Sequence, residues 1–457
     1  MSKTEKYVGR KMNRRDFIRK STFFGAGVAA SGLFAKKRKK PTTKPGVKKV
    51  APIGTVRIGF VGVGGMGSAH CRNLLNIKGA EIRAVCDIVP EKVERIQKWC
   101  MEAGFNKPEG YSRGEYDFKR MCERDDLDLV ITATPWKWHV PVAVAAMKTG
   151  KHMAIEVPAA LTIDGCWELV ETAEKESKYC VMLENCCYNR SELAVLNMVR
   201  KGMFGELIHG AGGYLHDLRE IKFSDKGEGL WRIDHSVNRD GNLYPTHGLG
   251  PIAEYMDINR GNYFEYIISM SSKSRGLHEY AEDKFGKESP QSKMKFKLGD
   301  VNVSLIKTYK GETITVYHDC NLPRPYSRIN MIQGTKGIFE GYPDRIYIEG
   351  VSWTNDEWER FGKYLHDYKH PLWKEKGKNS TGAGHGGMDY LEDFRLIDAL
   401  RKGRLPDMDV YDAALWSSVS HLSEISVASK GKPVNFPDFT RGAWKTNERI
   451  FLTDYTY

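Results

Sequence analysis

The chain has 457 residues, 41% of them hydrophobic and 28% charged, so it can bury a sizeable core and is long enough for two domains. Its 70 Lys and Arg residues outnumber its 58 Asp and Glu residues, a balance that would suit a nucleic-acid partner. Residues 1–50, however, hold 16 of the basic and only 2 of the acidic residues, so the remaining body is near neutral and no nucleic-acid partner is predicted.

The basic N-terminus predicts a targeting segment and linker over residues 1–52. Arg14 and Arg15 come before a short apolar run at residues 21–35. Because this run is too short and too rich in small residues to span a bilayer, no stable membrane span is expected. Twin arginines in this setting are typical of signals that export folded proteins, which predicts a periplasmic or cell-surface location. The alternative is a disordered basic tail, since the Lys-rich stretch at 36–40 is unusual for a signal.

The next segment, residues 53–184, alternates strands with helices. Strands are predicted at 56–61, 81–86, 127–133, 152–155 and 180–183, and helices at 68–76, 93–103, 141–149 and 166–177. Such alternation predicts an α/β Rossmann domain with a doubly wound parallel sheet.

The pattern changes in residues 185–457. A helix is predicted at 193–201, β-rich stretches at 206–214, 263–270, 301–307, 313–318 and 328–333, and a last helix at 416–429. Hairpin-like spacing predicts a C-terminal α+β domain with a large, mostly antiparallel open sheet. A homodimer is compatible with this organisation.

Nine cysteines are scattered along the two domains without the spacing of a disulfide framework or a metal site. Their odd number predicts reduced, mostly buried thiols, which agrees with folding in the cytoplasm before export. No cluster of His, Cys and carboxylate residues argues for a metal, and none is predicted.

A glycine-rich turn between the first strand and the first helix predicts a dinucleotide site. It comprises Gly62, Gly64, Gly65, Met66 and Gly67. Glycines at this spacing permit a tight turn, close approach of the backbone to a pyrophosphate, and packing of helix on strand. Asp87 ends the second strand, where a carboxylate bonds the ribose hydroxyls and repels a 2′-phosphate. The pattern therefore predicts NAD in preference to NADP, the alternative being an ordinary strand-to-helix turn without a ligand.

Loops at the carboxyl ends of the parallel strands should surround the cofactor. The residues predicted there are Trp136, Lys137, Trp138, His139, Glu156, Val157 and Asn185. Either tryptophan alone could equally be a packing or surface aromatic.

The series from the glycine turn through Asp87, His139 and Glu156 resembles the Gfo/Idh/MocA oxidoreductases, over residues 55–435. Most members have Lys in the Glu-x-Pro motif, and that Lys acts at the sugar hydroxyl being oxidised. Here the position is Val157. A later motif usually carries Asp four residues before a His, and here the Asp position is Leu243, although His247 is retained. The usual dehydrogenase acid/base set is therefore broken.

The motifs that differ from the oxidoreductase pattern resemble those of glycoside hydrolase family 109, the NAD-dependent α-N-acetylgalactosaminidases. The motifs that carry this resemblance are Trp136-Lys137-Trp138-His139, Glu156-Val157-Pro158, Glu184-Asn185-Cys186-Cys187-Tyr188, Trp231-Arg232, Asn242 to Gly248 and Gly384 to Asp389. By that resemblance the sugar site is lined by Tyr214, Arg232, Tyr244, Pro245, Thr246, His247 and Tyr326, and Tyr244 also approaches the nicotinamide.

The resemblance implies hydrolysis of terminal α-linked N-acetylgalactosamine through oxidation at C3, elimination, addition of water and reduction, so that NAD ends unchanged. This route departs from the usual carboxylate pair of glycosidases. His247 and Tyr244 are predicted as the acid/base pair. His385 is a weaker candidate, and Arg232 either holds sugar hydroxyls or pairs with an acid such as Asp234.

Two other functions stay open on the sequence. One is an NAD-dependent sugar dehydrogenase of the Gfo/Idh/MocA type, which Val157 in place of Lys disfavours. The other is a non-catalytic protein that binds a sugar or senses the cofactor, in which replacing His247 by Ala would leave the function intact.

Overall fold

The computed structural model describes residues 46–455, and the predicted twin-arginine segment lies outside them. Among the described residues, no helix has the length and apolar character needed to cross a membrane. All nine cysteines lie in this part of the chain, and all are free and buried, as predicted.

The first sheet has six parallel strands in the order β3-β2-β1-β4-β5-β6. The strands are β1 (Val56–Val61), β2 (Ala80–Cys86), β3 (Glu109–Tyr111), β4 (Leu129–Thr132), β5 (His152–Glu156) and β6 (Cys180–Leu183). This is the doubly wound order of a Rossmann domain, so the predicted fold class is confirmed for this half. The strands are nearly continuous apolar runs because helices cover both faces of the sheet. Only β3 was not predicted, since its three residues carry no strand pattern.

Five helices accompany this sheet: α1 (Gly65–Leu74), α2 (Pro90–Glu102), α3 (Asp117–Cys122), α4 (His139–Lys148) and α5 (Ile163–Glu176). The prediction of α1 was wrong at its start, because the helix begins inside the glycine motif and not at residue 68. Glycine has a low helix propensity, so the sequence pattern hides a helical turn whose purpose is to present backbone N–H groups.

The second sheet has nine strands in the order β14-β13-β12-β11-β7-β10-β9-β8-β15. Its strands are β7 (Leu207–Leu215), β8 (Phe264–Ser271), β9 (Val301–Thr308), β10 (Thr313–Asp319), β11 (Met331–Gly334), β12 (Gly337–Glu340), β13 (Arg345–Ile348), β14 (Glu359–Arg360) and β15 (Val434–Asn435). Only β7 and β10 pair in parallel, so the sheet is mostly antiparallel, as predicted. One strand was predicted too early: Ile329 and Asn330 have positive φ values of 63° and 48°, which an extended strand does not adopt.

Nine helices belong to the second half of the described chain: α6 (Arg190–Arg200), α7 (Arg219–Phe223), α8 (Gly229–Asn238), α9 (Thr246–Tyr255), α10 (Gly276–Phe285), α11 (Gly362–Asp367), α12 (Pro371–Lys376), α13 (Met388–Lys402) and α14 (Val410–Ala428). The sequence did not predict α13, whose buried face includes several carboxylates. Helix α14 starts earlier than predicted, at a capping box formed by Asp409 and Asp412. Both helices return to pack on the first half, α13 against α1 and α14 against α5. The predicted boundary at residues 184/185 stays a prediction.

Candidate functional site

The glycine turn has the shape that a dinucleotide needs. Gly62 has a φ of +81°, and a Cβ at Gly67 would lie 2.0 Å from the carbonyl oxygen of Gly62, so a side chain at residue 67 would push α1 off the turn. Gly64 and Gly65, by contrast, face open space, where a Cβ would meet no atom within 4 Å. Helix α1 has no side-chain cap, so its first N–H groups are available to an anion. The residues present therefore fit a pyrophosphate at this point.

Asp87 is attached to the same turn. Its carboxylate accepts hydrogen bonds from the backbone N–H groups of Val63 and Val89, both at 3.0 Å. Lys92 approaches it at 4.0 Å. The contact with Val63 fixes the carboxylate at the end of β2, beside the turn, and leaves oxygen lone pairs to accept further hydrogen bonds. This is the place where ribose hydroxyls are expected to bind.

The loop after β4 divides its aromatic residues between two environments. Trp136 is buried, and its ring packs at 5.6 Å on the ring of Tyr244. Trp138 packs on Tyr116 instead, at 5.2 Å, and the side chain of Lys137 lies over its ring. Trp136 thus joins the predicted sugar site, and the predicted cofactor contacts of Lys137 and Trp138 stay predictions.

His139 is buried between two backbone carbonyls. Its ring nitrogens lie 2.8 Å from the oxygen of Pro158 and 2.9 Å from that of Thr134. Burial lowers the pKa of His139, and the two carbonyls only partly offset this effect. In the structure His139 joins the loop after β4 to the loop after β5.

Glu156, at the end of β5, is held by a buried histidine from α1. Nε2 of His70 lies 2.8 Å from Oε1 of Glu156, and Nδ1 of His70 lies 2.8 Å from Oδ1 of Asp393. The other oxygen of Glu156 accepts the N–H of Val157 at 3.0 Å. Burial alone would lower the pKa of His70, but the two carboxylates raise it well above its ordinary value. The side chains of Glu156, His70 and Asp393 therefore form a continuous charged series that joins α1, β5 and α13.

His247 is placed by a close contact between α9 and β7. A Cβ at Gly248 would lie 2.0 Å from the backbone nitrogen of Gly213, so only glycine lets the helix approach the strand this closely. Nδ1 of His247 lies 2.7 Å from Oε1 of Glu184, a fully buried residue that follows β6. Burial by itself would raise the pKa of Glu184, but His247 outweighs it and lowers the value, so the carboxylate stays ionised.

Aromatic rings surround His247. The ring of Tyr244 lies 4.8 Å from that of His247, and the ring of Tyr214 lies 4.6 Å from that of Tyr244. Tyr326 follows at 6.2 Å from Tyr214. Burial, with Tyr214 and Glu156 adding to it, raises the pKa of Tyr244 well above its ordinary value, and Arg232 opposes this rise. In the protein alone Tyr244 is a neutral hydrogen-bond donor.

Arg232 lies over this cluster. Its guanidinium carbon is 5.1 Å from the ring centre of Trp136 and 5.6 Å from that of Tyr244. The acid with which Arg232 pairs is Glu228, the residue just before α8, and not Asp234. Glu228 accepts a hydrogen bond only from Nε of Arg232, so the remaining N–H groups of Arg232 can bind sugar hydroxyls.

Asn185 and His385 are joined through one carboxylate. The side-chain amide of Asn185 donates to Asp389 at 2.6 Å, and Nδ1 of His385 lies 2.8 Å from the other oxygen of Asp389. The hydrogen bond to Asp389 raises the pKa of His385 in spite of partial burial. His385 is half-exposed, and Asn185 is buried beside the end of β6.

Glu184, Cys186 and His247 each offer one ligand atom within 4.8 Å of the others. Burial raises the pKa of Cys186 well above its ordinary value, which disfavours the thiolate that a metal requires. Nδ1 of His247 is already bonded to Glu184. That no metal is bound stays a prediction.

The importance of two residues in this region, Glu184 and His70, was not predicted from the sequence. Glu184 stood within a recognised motif, but a carboxylate next to Asn185 gives no sign of the histidine that it contacts 63 residues later. His70 looks like an ordinary polar position of α1. Its two partners come from β5 and α13, and the second of these elements was not predicted.

Each half of the chain matches a known protein family. Residues 56–184 match an oxidoreductase family with an NAD-binding Rossmann fold, and residues 188–446 match the C-terminal domain of glycosyl hydrolase 109. A glycosyl hydrolase family 109 protein of Solibacter usitatus is 48% identical over 445 residues, which cover 96% of this chain and 100% of that protein. Another, from Shewanella pealeana, is 46% identical over 96% of this chain and 99% of its own length.

Similar solved structures support the fold. A levoglucosan dehydrogenase in complex with NADH and L-sorbose has a TM-score of 0.65 at 19% identity, covering 84% of this chain and 100% of that one. An inositol dehydrogenase homologue from Azotobacter vinelandii, complexed with NAD+, has a TM-score of 0.61 at 17% identity, covering 86% of this chain and 100% of that one. The first half is thus an NAD-binding Rossmann domain, as predicted.

Proposed function

Because the chain belongs to glycosyl hydrolase family 109, and is an enzyme of that family on an NAD-binding oxidoreductase fold, we propose that it hydrolyses terminal α-linked N-acetylgalactosamine of glycans. The observation that carries this proposal is the arrangement of Tyr244, His247 and Glu184. The buried carboxylate of Glu184 is bonded to Nδ1 of His247, so its role is to orient that histidine. Such a set suits proton transfer at the sugar ring better than direct displacement at C1.

His247 is the proposed general base. Since Glu184 is ionised, it accepts a hydrogen bond from Nδ1–H, and the neutral imidazole then carries its lone pair on Nε2. Nε2 makes no hydrogen bond with the described residues and is the atom that takes and returns a proton. The negative charge of Glu184 stabilises the imidazolium that forms.

Tyr244 is the proposed partner in proton transfer. Its hydroxyl is a neutral donor on a ring that lies 4.8 Å from the ring of His247, and Arg232 supplies a positive charge that favours a phenolate there. The rings of Trp136 and Tyr214 pack against the ring of Tyr244, which is buried. Arg232, Pro245, Thr246 and Tyr326 complete the proposed sugar site.

The glycine turn and Asp87 would hold NAD. When bound, NAD supplies a hydride acceptor at the start of turnover and the matching donor at its end, so the net reaction is hydrolysis. The role of the chain is to position the sugar and to move protons at His247 and Tyr244.

Purified protein incubated with an aryl α-N-acetylgalactosaminide, without added NAD, should release the phenol. If no phenol is released either with or without added NAD, the proposal is overturned. Stoichiometric formation of NADH at 340 nm from a free sugar, with no phenol released, would identify a sugar dehydrogenase instead. The dinucleotide that co-purifies, identified by its absorbance and mass, is an independent readout of cofactor retention.

We also propose export by the twin-arginine route to the periplasm or cell surface. The free, buried state of all nine cysteines supports folding in a reducing compartment before export. Residues 1–52 fused to a reporter enzyme should direct it to the periplasm, and replacing Arg14 and Arg15 by Lys should retain it in the cytoplasm. Unchanged export of the Lys variant would contradict this route.

A further inference from the structure

A cavity adjoins the proposed sugar site, because Trp136, Tyr214, Arg232 and Tyr244 form part of its wall. Apart from Leu243, the rest of the wall consists of residues that neither the mechanism nor the resemblance uses. These residues fall into a polar group and an apolar group. Together they decide what the cavity can hold.

The polar group centres on Lys222, which is buried although no carboxylate lies within 4.0 Å of its ammonium among the described residues. One N–H of Lys222 is satisfied, by the side-chain oxygen of Asn321 at 2.6 Å. On the same wall, Nδ1 of His318 is buried and has no hydrogen-bond partner among residues 46–455. Leaving such groups unpaired is costly, so a ligand that bonds them would be held firmly.

The apolar group consists of Leu218, Leu243 and Leu298. Each of the three is at most 3% exposed, and all line the same cavity as Lys222. A suitable occupant therefore needs a small apolar part against the leucines and a hydrogen-bond acceptor for the ammonium. A sugar hydroxyl lacks the first feature, whereas an acetamido group has both.

The charge of the wall favours a neutral acceptor over an anion. Arg232 is already paired with Glu228. Burial lowers the pKa of His318 to about 3, so this side chain is uncharged. Burial also lowers the pKa of Lys222, to about 8, so Lys222 loses its proton at a lower pH than an exposed lysine does. One modest positive charge matches the oxygen of an amide better than a sulfate or phosphate.

We propose that this cavity is the subsite for the acetamido group of the sugar, with Lys222 donating a hydrogen bond to the carbonyl oxygen and the three leucines packing on the methyl group. This inference rests on the proposed function and adds the residues that distinguish N-acetylgalactosamine from galactose. Lys222 is then a specificity-determining residue, whereas His247 and Tyr244 serve either sugar.

The test compares the 4-nitrophenyl α-glycosides of N-acetylgalactosamine and galactose, which differ only at C2. Lys222→Met keeps the length of the side chain and removes its donors. We expect the ratio of the two kcat/KM values to fall about tenfold to a hundredfold, because a hydrogen bond from a charged group is lost on one substrate alone. Leu298→Phe, which fills the apolar part, should lower the ratio as well.

Lys151→Met is the matched control. Lys151 is another buried lysine, which donates to the backbone oxygen of Thr149 in the Rossmann half, away from the cavity. Its variant should keep the ratio of the wild-type protein, and melting temperatures report whether each variant folds. Equal losses on both substrates in Lys222→Met, or an unchanged ratio, would overturn the inference.

Measurements of sugar binding test this inference independently of the proposed function. If neither glycoside is cleaved, the proposed function fails, and calorimetry with free N-acetylgalactosamine and free galactose still tests the subsite. Tighter binding of N-acetylgalactosamine that disappears in Lys222→Met would support the subsite. Equal binding of the two sugars by the wild-type protein would rule it out.

Discussion

Nδ1 of His247 lies 2.7 Å from Oε1 of Glu184, and this contact joins the first turn of α9 to the residue that follows β6. The proposed base is thus held by a residue of the other half of the chain. Its position depends on how the two sheets meet, in addition to the short loop that contains Tyr244.

Replacing Glu184 by Gln should lower kcat about tenfold to a hundredfold with little change in KM. Gln keeps an acceptor for Nδ1–H but loses the negative charge that stabilises the imidazolium, an interaction worth roughly 1.5–3 kcal/mol. Steady-state kinetics on the aryl glycoside check this. Glu174→Gln removes a carboxylate that pairs with Arg441 and should leave kcat unchanged. A loss confined to KM would mean that Glu184 acts only on sugar binding.

Replacing Tyr244 by Phe should lower kcat about 100- to 10,000-fold, the usual effect of removing one acid/base group. The ring that stacks on Trp136 remains, so we expect NAD to bind as tightly as in the wild-type protein. Fluorescence titration with NAD measures the second quantity. Tyr309→Phe, at an exposed tyrosine of the second half, is the control. Full activity of Tyr244→Phe would remove Tyr244 from the mechanism.

Replacing Gly67 by Ala should destabilise the protein even without NAD. The new Cβ would lie 2.0 Å from the carbonyl oxygen of Gly62, and overpacking of this kind costs about 1–3 kcal/mol. Gly65→Ala adds the same methyl group where nothing lies within 4 Å and should keep the melting temperature of the protein without NAD. Equal melting temperatures for the two variants would contradict the close contact at Gly67.

His70 should make the protein less stable as the pH rises above neutrality. In the unfolded chain it titrates near 6.5, whereas in the folded protein Asp393 and Glu156 outweigh burial and raise its pKa well above that value. Between these two values only the folded state holds the proton, so the free energy of unfolding falls by about 1.4 kcal/mol per pH unit. Urea unfolding at pH 7, 8 and 9 should show a steeper decline for the wild-type protein than for His70→Gln.

The matched control is His152, whose pKa burial lowers to about 4. For this residue the sign is opposite: the folded state stays neutral, so stability is lost as the pH falls from about 6.5 towards 4. His152→Gln should therefore share the wild-type decline above pH 7 and differ from it only in acid. Parallel declines for His70→Gln and the wild-type protein would show that His70 carries no extra proton.

Sequence reasoning succeeded where the signal is local. The strands of the Rossmann half are apolar runs that end at a glycine turn or a polar residue, and their existence follows from period and composition. It failed where tertiary contacts decide. Helix α13 buries Asp389, Glu392 and Asp393, so its pattern is not that of an amphipathic helix. Asp393 is tolerated inside because His70 and Asn73 of the first half contact it. Asp389 is held by Asn185 and His385.

The same limit applies to the site. Gly62, Gly67 and Asp87 stood in a motif and form the turn and the strand end that the motif implies, whereas the roles predicted for Tyr244 stay predictions. Glu184 and Lys222 carry no local sign of a role in the sequence, because Glu184 contacts a histidine on another helix and Lys222 lines a cavity closed by several elements. Trp136 and Trp138 are two residues apart and yet enter different environments, the first beside Tyr244 and the second beside Tyr116.

The return of α13 to the glycine helix also bears on how the protein is made. Asp393 accepts one hydrogen bond from Asn73 and contacts His70, and both of these residues are synthesised more than three hundred positions earlier. A ribosome-bound chain that has completed only the Rossmann half therefore exposes a histidine and an amide whose buried partners do not yet exist. A chain truncated before residue 393 would lack the partner of both side chains, and Glu156 at the end of β5 would lose its link through His70 to α13.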